Sequence, residues 1–192
     1  MEKGLFNMSH SNVVVGITGA SGAIYGVRTV EELAKLGLKV HVIITKNGKA
    51  TLSLEVPNWL SRLEKVSKVL DVADADIFIS GSKSFDYLVI APCTINTLVK
   101  ASLGIADNNL LRTIQVAIKE GLPTLLLVRE MPWPPQAFEA AYKLSLLGVK
   151  VVPASPPFYG NVKTIEDLVN NVVGRVLKLL GFENNLYKKW RD

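Results

Sequence analysis

Short clusters along this chain carry side chains able to do chemistry. Thr18-Gly-Ala-Ser21-Gly-Ala-Ile-Tyr-Gly26 joins a hydroxyl donor to glycines, which let a backbone come close to a ligand. A helix starting there would offer free N–H groups and its positive dipole end to a phosphate; a tight strand-to-helix turn accounts for the same residues. The spacing is neither Gly-x-Gly-x-x-Gly nor a Walker loop with its Lys, so it is not the usual dinucleotide or triphosphate cradle. Pro92-Cys93-Thr94-Ile95-Asn96-Thr97 is dense in small donors and acceptors, which can bond a planar heterocycle or cap a helix. Thr45-Lys46 offers a further hydroxyl, or a further cap. Arg129-Glu130 pairs an anion clamp with a proton donor, or forms a solvated ion pair. Pro153-Ala-Ser-Pro-Pro-Phe158-Tyr159 stiffens a loop that presents two aromatics. Cys93 has no His near it in sequence and reads as a small buried hydrophobe rather than a nucleophile.

What unites these clusters is that each follows an apolar, β-branched run. Such runs at 13–18, 39–45, 86–91, 123–128 and 150–153 predict five buried strands. Helical spacing predicts helices over 23–36 and 46–55, and near 95–103, 110–120, 135–147 and 164–180. Residues 58–85 read as short helices and loops. Strands alternating with helices call for an α/β fold: a single-domain, doubly wound, mainly parallel sheet with helices on both faces, Rossmann or flavodoxin-like. In such sheets a ligand lies beyond the carboxyl ends of the strands, where the clusters fall. Arg175 sits on the last predicted helix, about 90° from the centre of the apolar stripe that runs from Ile165 to Leu180, so it can reach a site edge or snorkel.

Composition narrows the choices. The 192 residues are 48% hydrophobic and 20% charged, a globular balance with length for one domain. Residues 1–11 read as a flexible arm and 12–192 as the domain. One cysteine excludes an intrachain disulfide, and with two histidines it argues against a metal site. No apolar run approaches the roughly 18 residues of a membrane span, and nothing marks export, so the expected place is the cytoplasm. The net charge of +5 is scattered, without the basic stripe and interleaved aromatics of a nucleic-acid binder; an anionic small molecule explains it as well.

Taken together, the motifs resemble one family. Val15-Gly-Ile-Thr-Gly-Ala-Ser-Gly-Ala-Ile-Tyr-Gly-Val-Arg28, Gly81-Ser82, Ala91-Pro92-Cys93, Asp107-Asn108 with Arg112, Lys119-Glu120, Arg129-Glu130 with Pro132, Phe158-Tyr159 and Gly174-Arg175 are similar, in order, to those of the UbiX-type flavin prenyltransferases. The chain departs from the common family pattern at Asn96, Asn109, Ala154, Val162 and Met131-Pro-Trp-Pro-Pro135.

The resemblance implies a transferase that joins a dimethylallyl group from dimethylallyl phosphate to reduced FMN, without metal. The prenylated FMN would serve a UbiD-type decarboxylase. It implies FMN contacts at Gly19, Ala20, Ser21, Thr45, Thr94, Ile95, Asn96, Thr97 and Arg112. The prenyl phosphate would meet Lys119, Arg129, Tyr159 and Arg175, with Ser21, Glu55 and Glu130 as catalytic groups. It also implies a homododecamer whose sites are built between subunits. Two alternatives remain at this point: an FMN-dependent cysteine decarboxylase of the same superfamily, and a non-catalytic FMN-binding protein. The first expects a His just before the 86–91 strand, whereas the histidines are His10 and His41.

Overall fold

Val13, Val14, Val15 and Ile17 are wholly buried in the first strand, β1 (Asn12–Ile17), in a computed structural model that describes residues 11–78, 85–159 and 162–187. Residues 1–10, most of the expected arm, and Gly81-Ser82 lie outside the described residues, while Ser11 already accepts from Lys39 N at 3.1 Å. Burial on both faces requires helices above and below, and the alternation of a strand divides the work. Val13, Val15 and Ile17 join one core cluster, while Val14 joins the other. Each such side chain contributes roughly 1.5–3 kcal/mol by leaving water.

The first cluster is closed by α1 (Ile24–Lys35) and α7 (Ile165–Leu179), through Val27, Val30, Val173 and Val176. Along with them pack α2 (Lys46–Glu55), through Leu52, and α3 (Trp59–Glu64), through Leu63. The second cluster is closed by α4 (Ile95–Ser102), α5 (Asn109–Lys119) and α6 (Pro135–Leu146), through Leu98, Leu110, Ile114 and Ala140. The remaining strands are β2 (Lys39–Ile44), β3 (Lys68–Asp71), β4 (Tyr87–Cys93), β5 (Thr124–Val128) and β6 (Lys150–Pro153). They pair in the order β3-β2-β1-β4-β5-β6, and every pairing is parallel. The order reverses between β1 and β4, which opens a crevice at their carboxyl ends.

The five expected strands and six expected helices are all present, but the sheet has a sixth strand. β3 falls in the stretch read as helices and loops, between α3 and a 3₁₀ segment, Val72–Phe78. It is a four-residue edge strand whose ends, Lys68 and Asp71, are exposed and whose middle is half-buried. Two apolar residues carry too little pattern for a strand; its pairing to β2 supplies the rest.

Candidate functional site

Three helices begin at the crevice, each with a polar cap. Thr45 Oγ1 accepts from Gly48 N at 3.0 Å, Thr94 Oγ1 from Thr97 N at 3.1 Å, and Asn108 Oδ1 from Leu111 N at 3.0 Å. The positive ends of α2, α4 and α5 therefore converge on one cleft of about 510 Å³. Its wall includes Thr18, Gly19, Thr45, Lys46, Asn47, Thr94, Asn96, Thr97, Asn108 and Glu130. Thr18 ties its floor together: Oγ1 donates to Pro92 O at 2.8 Å and accepts from Thr94 N at 2.9 Å. Gly19 is required by close approach, because a Cβ there would stand 2.5 Å from Asn47 Cβ. Hydroxyls, amides and helix starts around a cleft of this size suit a flat heterocycle with a phosphate tail.

Two amides at the start of α1 are already taken. Glu55, at the end of α2, reaches back and its Oε2 accepts from Gly22 N at 2.8 Å and Ala23 N at 2.9 Å. The Gly22–Ala23 end of the glycine-rich turn is thus closed by a carboxylate of the chain itself. The Ser21 hydroxyl also donates to Glu55. Burial pushes the Glu55 carboxyl up, but the Ser21 hydroxyl, the Ala23 and Gly22 amides and the Arg129 guanidinium together hold it below its usual value. Arg129 Nε donates to Ser21 O at 2.7 Å, so Ser21, Glu55 and Arg129 form one cluster at the rim. Tyr25 stands beside it, its phenol pushed up by burial, with Arg129 opposing that shift.

Glu130, next to Arg129 in the chain, lines the cleft itself. Its Oε1 accepts from Ile95 N at 3.0 Å, at the start of α4. Its backbone carbonyl accepts from Trp133 Nε1 at 3.0 Å. Cys93, behind it, is wholly buried, and burial first and then the Glu130 charge push its thiol far up. That agrees with an inert hydrophobe.

The structure thus brings Gly19, Thr45, Thr94, Asn96, Thr97 and Glu130 to the cleft, with Ser21, Glu55 and Arg129 at its edge. Ala20 is buried next to Gly19, and Ile95 meets the site through its amide. Arg112 is exposed on the first turn of α5, beside Leu111, which lines the cleft. Tyr159 and Arg175 are elsewhere: they line a second cavity of about 370 Å³, with Ser155, Pro157, Asn171 and Tyr187, between β6 and α7. Lys119 also lies outside the cleft. It ends the eleven-residue α5, roughly 16 Å from the cleft end of that helix, where the chain turns back into β5, and it pairs with Glu120 at 3.1 Å.

Sequence reasoning placed Thr18 and Lys46 in the strand-end clusters and Asn108 in a family motif without giving them a contact, and it did not name Asn47, Val72 or Leu111 for the site. Lys46 and Asn47 had a usable signal, since they start a helix directly after a strand end, whereas Asn108 caps α5 after the connection from α4. Val72 had none, because it follows the unrecognised β3. Among the described residues no group of three His, Cys, Asp or Glu side chains comes together to hold a metal ion, and no helix is long and apolar enough to cross a membrane.

Comparison with known proteins agrees with this geometry. Residues 4–177 match the model of the Flavoprotein family. The chain is 38% identical over 184 residues to the flavin prenyltransferase UbiX of Saccharolobus solfataricus, covering 93% of this chain and 92% of the relative. Its fold superposes with a TM-score of 0.91 on AnUbiX (PadA1), a crystal structure in complex with FMN and dimethylallyl pyrophosphate, at 29% identity over 95% of this chain and 98% of that one. The dodecameric FMN-dependent UbiX-like decarboxylase of Escherichia coli O157:H7 gives a TM-score of 0.89 at 34% identity, covering 94% of this chain and all of the other. With its motifs, cleft and full-length likeness in agreement, the chain belongs to the flavoprotein family, among the UbiX flavin prenyltransferases.

Proposed function

We propose that this protein joins the dimethylallyl group of dimethylallyl phosphate to reduced FMN, giving prenylated FMN for a UbiD-type decarboxylase. The observation that carries the reading is the cleft at the β1–β4 reversal, walled by three helix starts, with Glu130 and the Ser21–Glu55–Arg129 cluster at its rim. The cleft fits FMN as substrate: Thr45, Asn47, Thr94, Thr97 and Asn108 supply donors and acceptors, and Gly19 leaves room for them. Reduced FMN supplies an electron-rich ring system as the nucleophile.

The bond that breaks is the allylic C–O bond of the donor, and its electron pair leaves on the phosphate. That charge needs neutralising where it develops. Arg129 stands at the rim to do so. Lys119, Tyr159 and Arg175 lie away from the cleft of their own chain, so they serve the cleft of a neighbouring copy in a homododecamer. The dodecameric state of the Escherichia coli relative supports that arrangement. Two guanidiniums, an ammonium and a phenol suffice for the phosphate without a metal ion. Glu130 gives a proton to the leaving phosphate and then accepts one from the flavin ring; Ser21, held by Glu55, steadies the ring or relays a proton. A lone buried cysteine and the lack of a membrane-spanning helix among the described residues support work in the cytoplasm.

A cysteine decarboxylase would need a His just before β4, where the sequence reads Ile79-Ser-Gly-Ser-Lys-Ser84. His41 is buried inside β2, its ring 5.1 Å from that of Phe78, and His10 lies outside the described residues. The deciding experiment is mass analysis of flavin after incubation with reduced FMN and dimethylallyl phosphate. The flavin gains one five-carbon unit, with or without chelator. Unchanged flavin, or carbon dioxide released from a cysteine-derived substrate, overturns the reading.

A further inference from the structure

Trp133 belongs to Met131-Pro-Trp-Pro-Pro135, a segment without a role in the reading above. Its indole Nε1 donates to the Glu130 carbonyl at 3.0 Å. Its ring packs on Phe138 of α6, with centroids 5.5 Å apart and planes tilted by 49°, and it leans on the core beneath α4 to α6. The indole is therefore anchored, and so is the bond that it gives.

Glu130 is held at three points. Upstream, Arg129 N donates to Cys93 O at 3.2 Å, which ties the backbone to β4. At the side chain, Ile95 N donates to Oε1. Downstream the chain leaves the sheet at once, and Met131 is 91% exposed. The Trp133 bond restrains the backbone on that side. Without it the Glu130–Met131 peptide would turn, the Glu130 backbone would adjust with it, and the carboxylate would no longer be delivered to one place. Geometric errors of about 1 Å at a reacting group can cost on the order of a hundredfold in rate.

We propose that Trp133 is a positioning residue that sets the Glu130 carboxylate at the rim of the cleft. The inference rests on Glu130 being the proton-transfer group of the proposed reaction. Trp133→Phe keeps the ring on Phe138 and removes only the N–H. It lowers kcat for prenyl transfer by roughly tenfold, with FMN affinity and the KM for dimethylallyl phosphate within about twofold of wild type. In a Glu130→Gln background the same change costs nothing further, because the group it positions is already gone.

Four results would each overturn it. Normal turnover of Trp133→Phe beside a slow Glu130→Gln removes the positioning role and leaves the reaction intact. An equal loss from Trp133→Phe in both backgrounds shows a role unrelated to Glu130. Weakened FMN binding by Trp133→Phe shows a merely structural one. Wild-type turnover by Glu130→Gln removes the proton-transfer role of Glu130 and the inference with it.

Discussion

Replacing Glu55 by Gln tests the least expected contact of the site. The carboxylate closes the start of α1 by accepting from Gly22 N and Ala23 N, 2.8 and 2.9 Å away, with the Ser21 hydroxyl as a third donor. A hydrogen bond to a charged acceptor is worth about 1.5–3 kcal/mol when shielded. Glu55 is exposed, so solvent screening cuts the whole set to about 1–2 kcal/mol. In a chain of this length that is roughly 2–8 °C in Tm. The sign with pH follows from the shift. The folded carboxyl titrates below its usual 4.5, so its contribution is complete above that value and is lost as pH falls through the lower, folded one. Glu55→Gln carries no such titration. Melting curves of the two proteins at equal concentration, from neutral pH down to about pH 3, should therefore show a gap that closes with acid. A gap of the same size at every pH, or none at neutral pH, would refute the account of Glu55 as a charged closure of the turn.

Arg175→Ala should leave FMN binding intact and cost on the order of 2–4 kcal/mol in transition-state stabilisation, read as kcat/KM for prenyl transfer. Because Arg175 and Glu130 line different cavities of one chain, oligomers reassembled from Arg175→Ala and Glu130→Gln subunits should regain activity that neither has alone. Normal turnover by Arg175→Ala removes it from the reaction. His41 is buried, its Nδ1 has no partner among the described residues, and burial first, then Lys39 and Lys68, hold its pKa below the usual 6.5. Its neutral form is the one that fits the fold. Stability is therefore full above 6.5 and declines as pH drops below it, by at most about 1.4 kcal/mol per pH unit for one group. Denaturant melts between about pH 5 and 7 should show this slope, and His41→Phe should flatten it.

Sequence patterning determined most of the frame. The valine and leucine runs of β1, β4 and β5 are so apolar that only a doubly covered sheet accommodates them, and α2 runs from Lys46 to Glu55 as its spacing and Pro57 predict. The small polar residues at 18–21, 45 and 94–97 were readable as a ligand cleft because strand ends in such sheets share one edge. β3 was not readable, since an exposed four-residue edge strand draws its stability from pairing with β2 rather than from its own pattern. The bond from Glu55 to Gly22 spans 33 residues, and the one from Arg129 to Ser21 spans 108. Nothing local in the chain encodes such partners. Likewise, the distance of Lys119 from the cleft depends on the direction in which α5 runs, and the separate cavity of Tyr159 and Arg175 depends on how α7 packs beside β6. Local periodicity reports which face of an element is buried; which distant side chains meet is decided only when those faces close on one core.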